Sequence, residues 1–182
     1  MTSILKVSEI QDPTNSNSAL TIDSSGIVTP SKSIGFMAVL PASGTTVATG
    51  TYTKISLLST HPRAFDPQNG WSNTNYYYTI PTGMGGYWLF TAHIEMSVVS
   101  GATRCVISTT ATANTNSNWL FYGHTGDSTT SSNNDGASCS GIANVSAGTI
   151  IKMEGYHTYG SNQTAHGHDN YGRTYLSGWR LG

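Results

Sequence analysis

Two histidines separated by one residue, in His166-Gly167-His168-Asp169, form the pattern in this sequence that comes nearest to a ligand set. Residues i and i+2 of an extended strand project to one side, so His166 and His168 would present two imidazoles together, with His157 upstream as a third. Three chains meeting there would offer an octahedral nitrogen site of the kind a transition metal takes. The bland alternative is an exposed His/Gly/Asn-rich loop that binds nothing. A second oxygen-rich stretch, Asp127 with Asn133, Asn134 and Asp135, has donors that suit calcium. Its spacing matches no EF-hand pattern, and a solvated loop is the better reading of it.

Recognition chemistry is offered by aromatic side chains beside amides and hydroxyls, because rings stack on ligand faces while amides read hydroxyl groups. The stretch Trp71-Ser72-Asn73-Thr74-Asn75-Tyr76-Tyr77-Tyr78 and the loops 111–136 and 158–170 have that composition. They nominate Trp71, Asn73, Asp127, Asn133, Asn134, Tyr159 and Asn162 as recognition residues. The competing assignment puts Tyr76 and Tyr78 in the core and Tyr77 at an interface. Catalysis has little to start from. The carboxylates Glu9, Asp12, Asp23, Asp66, Glu95, Asp127, Asp135, Glu154 and Asp169 fall mostly in loops or near the N-terminus, and no nucleophile elbow, zinc-protease motif or phosphate loop occurs. The expectation is no enzyme, and no cofactor beyond the candidate transition metal or calcium.

Composition narrows the partners. Charged residues are 9% of the chain, far below the roughly 25% usual in soluble domains. The net charge is −1 and Lys and Arg form no cluster, which argues against nucleic acid. Nothing approaches the roughly 18 consecutive apolar residues of a membrane span, and MTSILKVSEIQDPTN has no apolar signal core. A soluble chain that is not itself exported is the expectation. Cys105 and Cys139 are too few for a disulfide scaffold and read as buried reduced thiols, since a bond would require neighbouring strands.

The elements that must position these residues are strands. Period-two patterns bounded by Gly, Pro, Ser and Asn occur at 35–40, 51–58, 76–80, 87–99, 104–110, 119–124, 137–145, 149–156 and 171–181, with no competing helical period. In the longest, Trp88, Phe90, Ala92, Ile94, Met96 and Val98 should face the core. Tyr87, Leu89 and Val99 spoil a clean polar face opposite, as a subunit interface would. Residues 1–33 differ: short apolar pieces alternate with turn signals, and Thr21-Ile22-Asp23 and Ile27-Val28-Thr29 flank a Ser-Ser-Gly hairpin turn. Such pieces are too small to bury a core alone. The division is therefore an N-terminal arm at 1–33 and a head at 34–182.

Four motifs in the head, in order, carry a family resemblance. Gly85-Gly86-Tyr87-Trp88-Leu89-Phe90 resembles the signature of the complement subcomponent q globular head, one of the tumour-necrosis-factor-like jelly rolls. Upstream, Phe65-Asp66, Asn69-Gly70 and the strand ending at Pro81 are similar to that family's passage into the signature. Downstream, Val145-Ser146-Ala147-Gly148-Thr149-Ile150-Ile151 resembles its turn, with Thr149 where the family usually has Asp, and Ser177-Gly178-Trp179-Arg180-Leu181 its last strand. The resemblance implies an all-β, antiparallel jelly-roll sandwich and a homotrimer, with Trp88, Phe90, Tyr87, Leu89 and Tyr77 as the core and trimer signature. In the arm, Val7 to Pro13 and Leu20 to Gly26 resemble the leader of phage fibre and appendage proteins. The expected function is a bacteriophage virion structural protein: a tail fibre, head fibre or other trimeric appendage, assembled in the host cytoplasm. Its arm would contact other virion proteins, and its head would serve host-surface recognition, of glycan or protein, or particle protection. Alternatives are a capsid decoration or cement protein, and a cellular complement-like or carbohydrate-binding module.

Overall fold

The computed structural model describes residues 9–11, 18–22, 24–26, 28–30, 34–97, 101–110, 118–125 and 135–181. The chain divides into two compact units, Met1–Ile34 and Gly35–Gly182. In the first, β1 (Glu9–Gln11), β2 (Ser18–Ile22) and β3 (Val28–Pro30) form a small antiparallel sheet in that order. Ile22 pairs with Val28 and Thr21 with Thr29, closing a hairpin at Ser24 to Gly26. Gly26 takes a φ of 79°, the left-handed conformation that a tight reversal needs and that glycine adopts without steric cost.

The second unit is built from β4 (Gly35–Val39), β5 (Thr45–Val47), β6 (Thr53–Lys54), β7 (Trp71–Ser72), β8 (Tyr77–Thr79), β9 (Gly86–Met96), β10 (Thr103–Ser108), β11 (Trp119–His124), β12 (Asp135–Val145), β13 (Ile150–His157), β14 (Gln163–Ala165) and β15 (Tyr175–Arg180). In the first sheet β9 pairs with β12 along its whole length and, on its other edge, with β15 and then β14; β4 and β5 complete it. The second sheet runs β11-β10-β13-β8-β7, with β6 also on β13. Every pairing in the unit is antiparallel, and chain neighbours such as β9 and β10 lie in opposite sheets. This is a jelly-roll sandwich.

The strand that reads most clearly in the sequence also buries most regularly. Trp88, Phe90, Ala92, Ile94 and Met96 are all fully buried, and the residues between them are not. Val98 and Val99 lie outside the described residues. From the facing sheet, Tyr78 stacks on Phe36 at 3.9 Å between ring centroids, and Trp71 approaches Phe36 at 5.9 Å. Burying rings of this size on both layers is the main source of stability here. Gly178 on β15 makes the cluster possible: a Cβ there would sit 2.5 Å from the Phe36 ring and 2.9 Å from Phe90. The Ser-Gly-Trp motif thus has a packing cause.

Three short strands, β5, β7 and β14, carry too few residues for a period to show in the sequence. The expected strand at 51–58 survives only as β6, followed by an isolated bridge from Leu58 to Val39. The last strand begins at Tyr175 rather than 171.

The loop before β7 is held by one carboxylate. Asp66 Oδ1 accepts the Gly70 N–H at 3.1 Å and Oδ2 the Trp71 N–H at 2.8 Å. Asn69 adopts a φ of 52° in the same loop. Asp66→Ala leaves both donors without that partner, so the urea midpoint should fall by the equivalent of about 1–3 kcal/mol. The position that departs from the family pattern costs the fold nothing. The turn at Thr149 closes through backbone bonds, Thr149 N–H to Ser146 O at 3.1 Å and Gly148 N–H to Ile80 O at 2.8 Å, and requires no carboxylate.

Candidate functional site

The outward face of the first sheet is apolar where a solvated sheet would be polar. The β9 register sets Ile142 of β12 and Trp179 of β15 on either side of Leu89, all three on the face opposite Trp88. Ile142 is 59% exposed, Trp179 42%, the neighbouring Tyr87 58% and Leu181 53%. Leu181 is fixed beside Tyr87 by its N–H bond to the Tyr87 carbonyl at 2.8 Å. Phe65 packs on the Trp179 ring at 5.0 Å and extends the patch. Exposed apolar groups clustered in this way mark contact surfaces.

Further along β9 the same face turns polar. His93 Nδ1 meets Ser138 Oγ at 2.7 Å, and its ring lies 6.2 Å from that of Tyr175. Burial holds the His93 imidazole below its ordinary pKa against the upward pull of Glu95, which favours the neutral ring. Glu95 takes a bidentate pair from Arg173, whose Nε donates to Oε2 at 2.8 Å and whose Nη2 reaches Oε1. Two parallel bonds fix orientation as well as charge.

The recognition residues read from the sequence are not brought together. Trp71 is corrected outright: it is 8% exposed, its indole N–H donates to Leu57 O at 3.2 Å, and it belongs to the core. A large ring beside Asn and Ser suggested a loop, but the two residues of β7 turn it inward. Asn73 is exposed, and its Oδ1 accepts the Ser59 N–H at 2.9 Å, tying two turns together. Tyr159 is half-buried, with its carbonyl bonded by the Thr49 hydroxyl, and Asn162 is exposed. Tyr77 is half-buried and Tyr78 fully buried. Burial, with Asp66 adding to it, drives the Tyr78 hydroxyl far above its usual pKa. Asp127, Asn133 and Asn134 lie outside the described residues, as do 111–117 of the first nominated loop.

Within one chain the three nominated histidines have separate tasks. His157 is fully buried on the inner face of β13, where Nε2 donates to Val47 O at 3.0 Å, so it does not stand with the other two. His166 Nε2 bonds the Ser97 hydroxyl. His168 accepts the Asn170 N–H at Nδ1, 3.0 Å away, and its ring lies 4.3 Å from Tyr171. Both follow the end of β14 rather than lying on an extended strand. Among the described residues no three His, Cys, Asp or Glu side chains gather as a metal site within the chain.

Cys105 and Cys139 are buried free thiols on opposite sheets, with their sulfurs 3.8 Å apart. Burial and the neighbouring thiol push Cys105 well above the ordinary thiol pKa, so little reactive thiolate forms. An aromatic disulfide reagent should therefore label both thiols on the order of 100-fold more slowly in the folded than in the urea-unfolded protein. Labelling at equal rates would contradict this packing.

A second surface escapes sequence reasoning altogether. On the outward face of the other sheet, register sets Arg104 of β10 between His124 of β11 and Tyr156 of β13. The guanidinium lies over the Tyr156 ring at 4.6 Å and the Tyr122 ring at 5.9 Å, and Nη1 donates to Tyr52 Oη at 3.2 Å. Tyr52 stacks on Tyr156 at 4.6 Å and meets Trp119 at 5.0 Å; Trp119 stacks on Tyr122 at 5.5 Å, and Tyr122 on His124 at 6.2 Å. On that same face Glu154 receives Lys152 Nζ at Oε1 and Ser108 Oγ at Oε2, each at 2.9 Å, and all three side chains are buried. Only the pairing of distant strands joins these rings.

The fold is similar to that of tumour-necrosis-factor-like jelly rolls. In three dimensions it is similar to murine APRIL, in crystal structures at pH 5.0 and pH 8.0, each with a TM-score of 0.58 and 15% identity over 82% of this chain and 100% of the other. It is likewise similar to the Eiger TNF from S. frugiperda, with a TM-score of 0.54 and 13% identity over 82% of this chain and 93% of the other. These likenesses establish the fold. In sequence, no family model and no curated protein matches the chain.

Proposed function

We propose that the chain is a non-catalytic structural protein of a bacteriophage particle. In this reading it is a homotrimeric appendage joined to other virion proteins through residues 1–33, with its jelly roll displayed for host-surface recognition or particle protection. The observation that carries it is the exposed apolar face around Leu89, with Tyr87, Ile142, Trp179 and Leu181 in a chain that is otherwise hydroxyl-rich. Leaving such rings in water is unfavourable, and packing of copies about an axis would cover them. The complement-q resemblance implies a trimer built on this sheet face.

Support for a non-catalytic role comes from the carboxylates. Asp66 caps a loop, Glu95 holds Arg173, Glu154 holds Lys152, and Asp169 Oδ1 accepts the Ala42 N–H at 3.1 Å. Each of these has a structural task, and among the described residues no pair is poised as acid and base. The particle location rests on the leader resemblance in the arm. Imaging of purified virions, with this chain located by a specific label, tests it: copies in threes on the particle are expected, and absence from virions overturns the reading. Light scattering tests the assembly, with an expected mass three times the 19.3 kDa of the chain.

A further inference from the structure

We propose that the outward face of the β11-β10-β13-β6 sheet is a binding site for an acidic glycan, a pyranose chain bearing carboxylates, with Arg104, Tyr122 and Trp119 as its principal contacts. The proposal deepens the recognition half of the function above by naming a site and a ligand class.

Three observations converge on it. The first is shape. Tyr52, Trp119, Tyr122, His124 and Tyr156 form an unbroken run of ring contacts, with Tyr122 44% exposed, His124 exposed and the other three half-exposed. Aromatic surface partly open to solvent suits the C–H faces of sugar rings, while tyrosine hydroxyls suit sugar hydroxyls. Rings already packed on one another lose little side-chain freedom on binding.

The second is charge. The ion pairs formed among the described residues are Lys152–Glu154 and Arg173–Glu95, so Arg104 has no carboxylate within ion-pair distance among them. Lys54, opposite Glu154 in register and 5.8 Å from the Tyr76 ring, has none either. Glu154 is occupied on both oxygens, by Lys152 and Ser108. In a chain with 9% charged residues, two cations that have no acidic partner among the described residues share one aromatic face. The Arg104 guanidinium is held in place by the Tyr52 hydroxyl and the Tyr156 ring, so it is oriented before any ligand arrives. The complement to this face is an anion with flat apolar surfaces.

The third is what the face excludes. β10 and β13 are paired on both edges, so a ligand lying over Arg104 and Tyr156 meets side chains rather than free backbone. Two cations are too few to track a phosphate backbone. An acidic sugar needs one guanidinium and a stacking ring, which the site supplies.

The test uses the full-length protein with three acidic probes: a galacturonic acid hexasaccharide, a hexasaccharide alternating glucuronic acid with N-acetylglucosamine, and a sialylated trisaccharide. The methyl ester of the first serves as a neutral control. Calorimetry and tryptophan fluorescence should show saturable binding of at least one probe, and where that probe is the galacturonate the ester should bind about tenfold more weakly or worse. Tyr122→Ala and Arg104→Gln should each weaken binding about tenfold, and Trp119→Phe should remove most of the fluorescence change. If Arg104→Gln fails to fold, Tyr122→Ala decides, because that ring is nearly half in solvent. Absence of saturable binding of all three probes at millimolar concentration overturns the proposal. So do tighter binding of a single-stranded oligonucleotide, unchanged affinity in Tyr122→Ala, or dissociation of the assembly by Tyr122→Ala, which would make this face a subunit contact. Failure here would leave the scattering mass and virion imaging untouched, so the broader function stands or falls separately.

Discussion

Glu154→Ala is expected to lower the stability of the head by about 3–5 kcal/mol, a large part of what holds a domain of this size folded. The substitution strips the buried Lys152 ammonium of the carboxylate at 2.9 Å and removes the acceptor of the Ser108 hydroxyl. Both members of the pair are 2% exposed, so water cannot take the lost place without opening the packing around them. Urea unfolding followed by circular dichroism measures it, with a lower midpoint and an unchanged slope. The double change Lys152→Met with Glu154→Leu is the control. It removes the charge together with its partner, and should recover most of the loss, because two apolar side chains need no counter-charge. A double variant as unstable as the single would show that hydrogen bonding, rather than charge burial, dominates.

Tyr87→Asp combined with Trp179→Asp is expected to give a folded monomer in place of the proposed trimer. Both rings are about half exposed on the outward face of β9 and β15, so the changes leave the intrachain core of Trp88, Phe90 and Phe36 intact. In an assembly built on this face each copy would bring two carboxylates, or six per trimer, into an apolar contact, and burying them costs far more than the contacts return. Light scattering should give a single-chain mass, with the strand signal in circular dichroism preserved. A native protein that is already monomeric at micromolar concentration would remove the basis for the trimer. A variant that remains trimeric would move the interface to another face.

The legible part of the head was its longest local pattern. A strand's pleat sends alternate side chains to opposite faces whatever it pairs with, so the Trp88-Phe90-Ala92-Ile94-Met96 series and the apolar intrusions at Tyr87 and Leu89 could be read along the chain. The motifs holding Gly178 and Asp66 were legible only as a family resemblance; their packing causes, Gly178 beneath Phe36 and Asp66 holding the turn to Trp71, came from the structure. Trp71 was misread because composition around a residue says little about which side of a two-residue strand it takes. His166 and His168 were given strand geometry that the chain abandons after Ala165.

The sequence alone, then, determined the strand content and the two faces of β9, together with the order of motifs typical of a tumour-necrosis-factor-like jelly roll. The strand content and the faces follow from spacing along each strand; the motif order is a resemblance to the complement-q head. Tertiary structure decided whatever depends on which strands become neighbours. Ile142 and Trp179 flank Leu89 only through the β12-β9-β15 register. The sulfurs of Cys105 and Cys139 meet across the sandwich, and Tyr52 reaches Trp119 over β10 and β13. The physical reason is that cross-strand neighbours are set by pairing, which the linear period of a single strand does not encode. The Arg104 platform consists wholly of such neighbours.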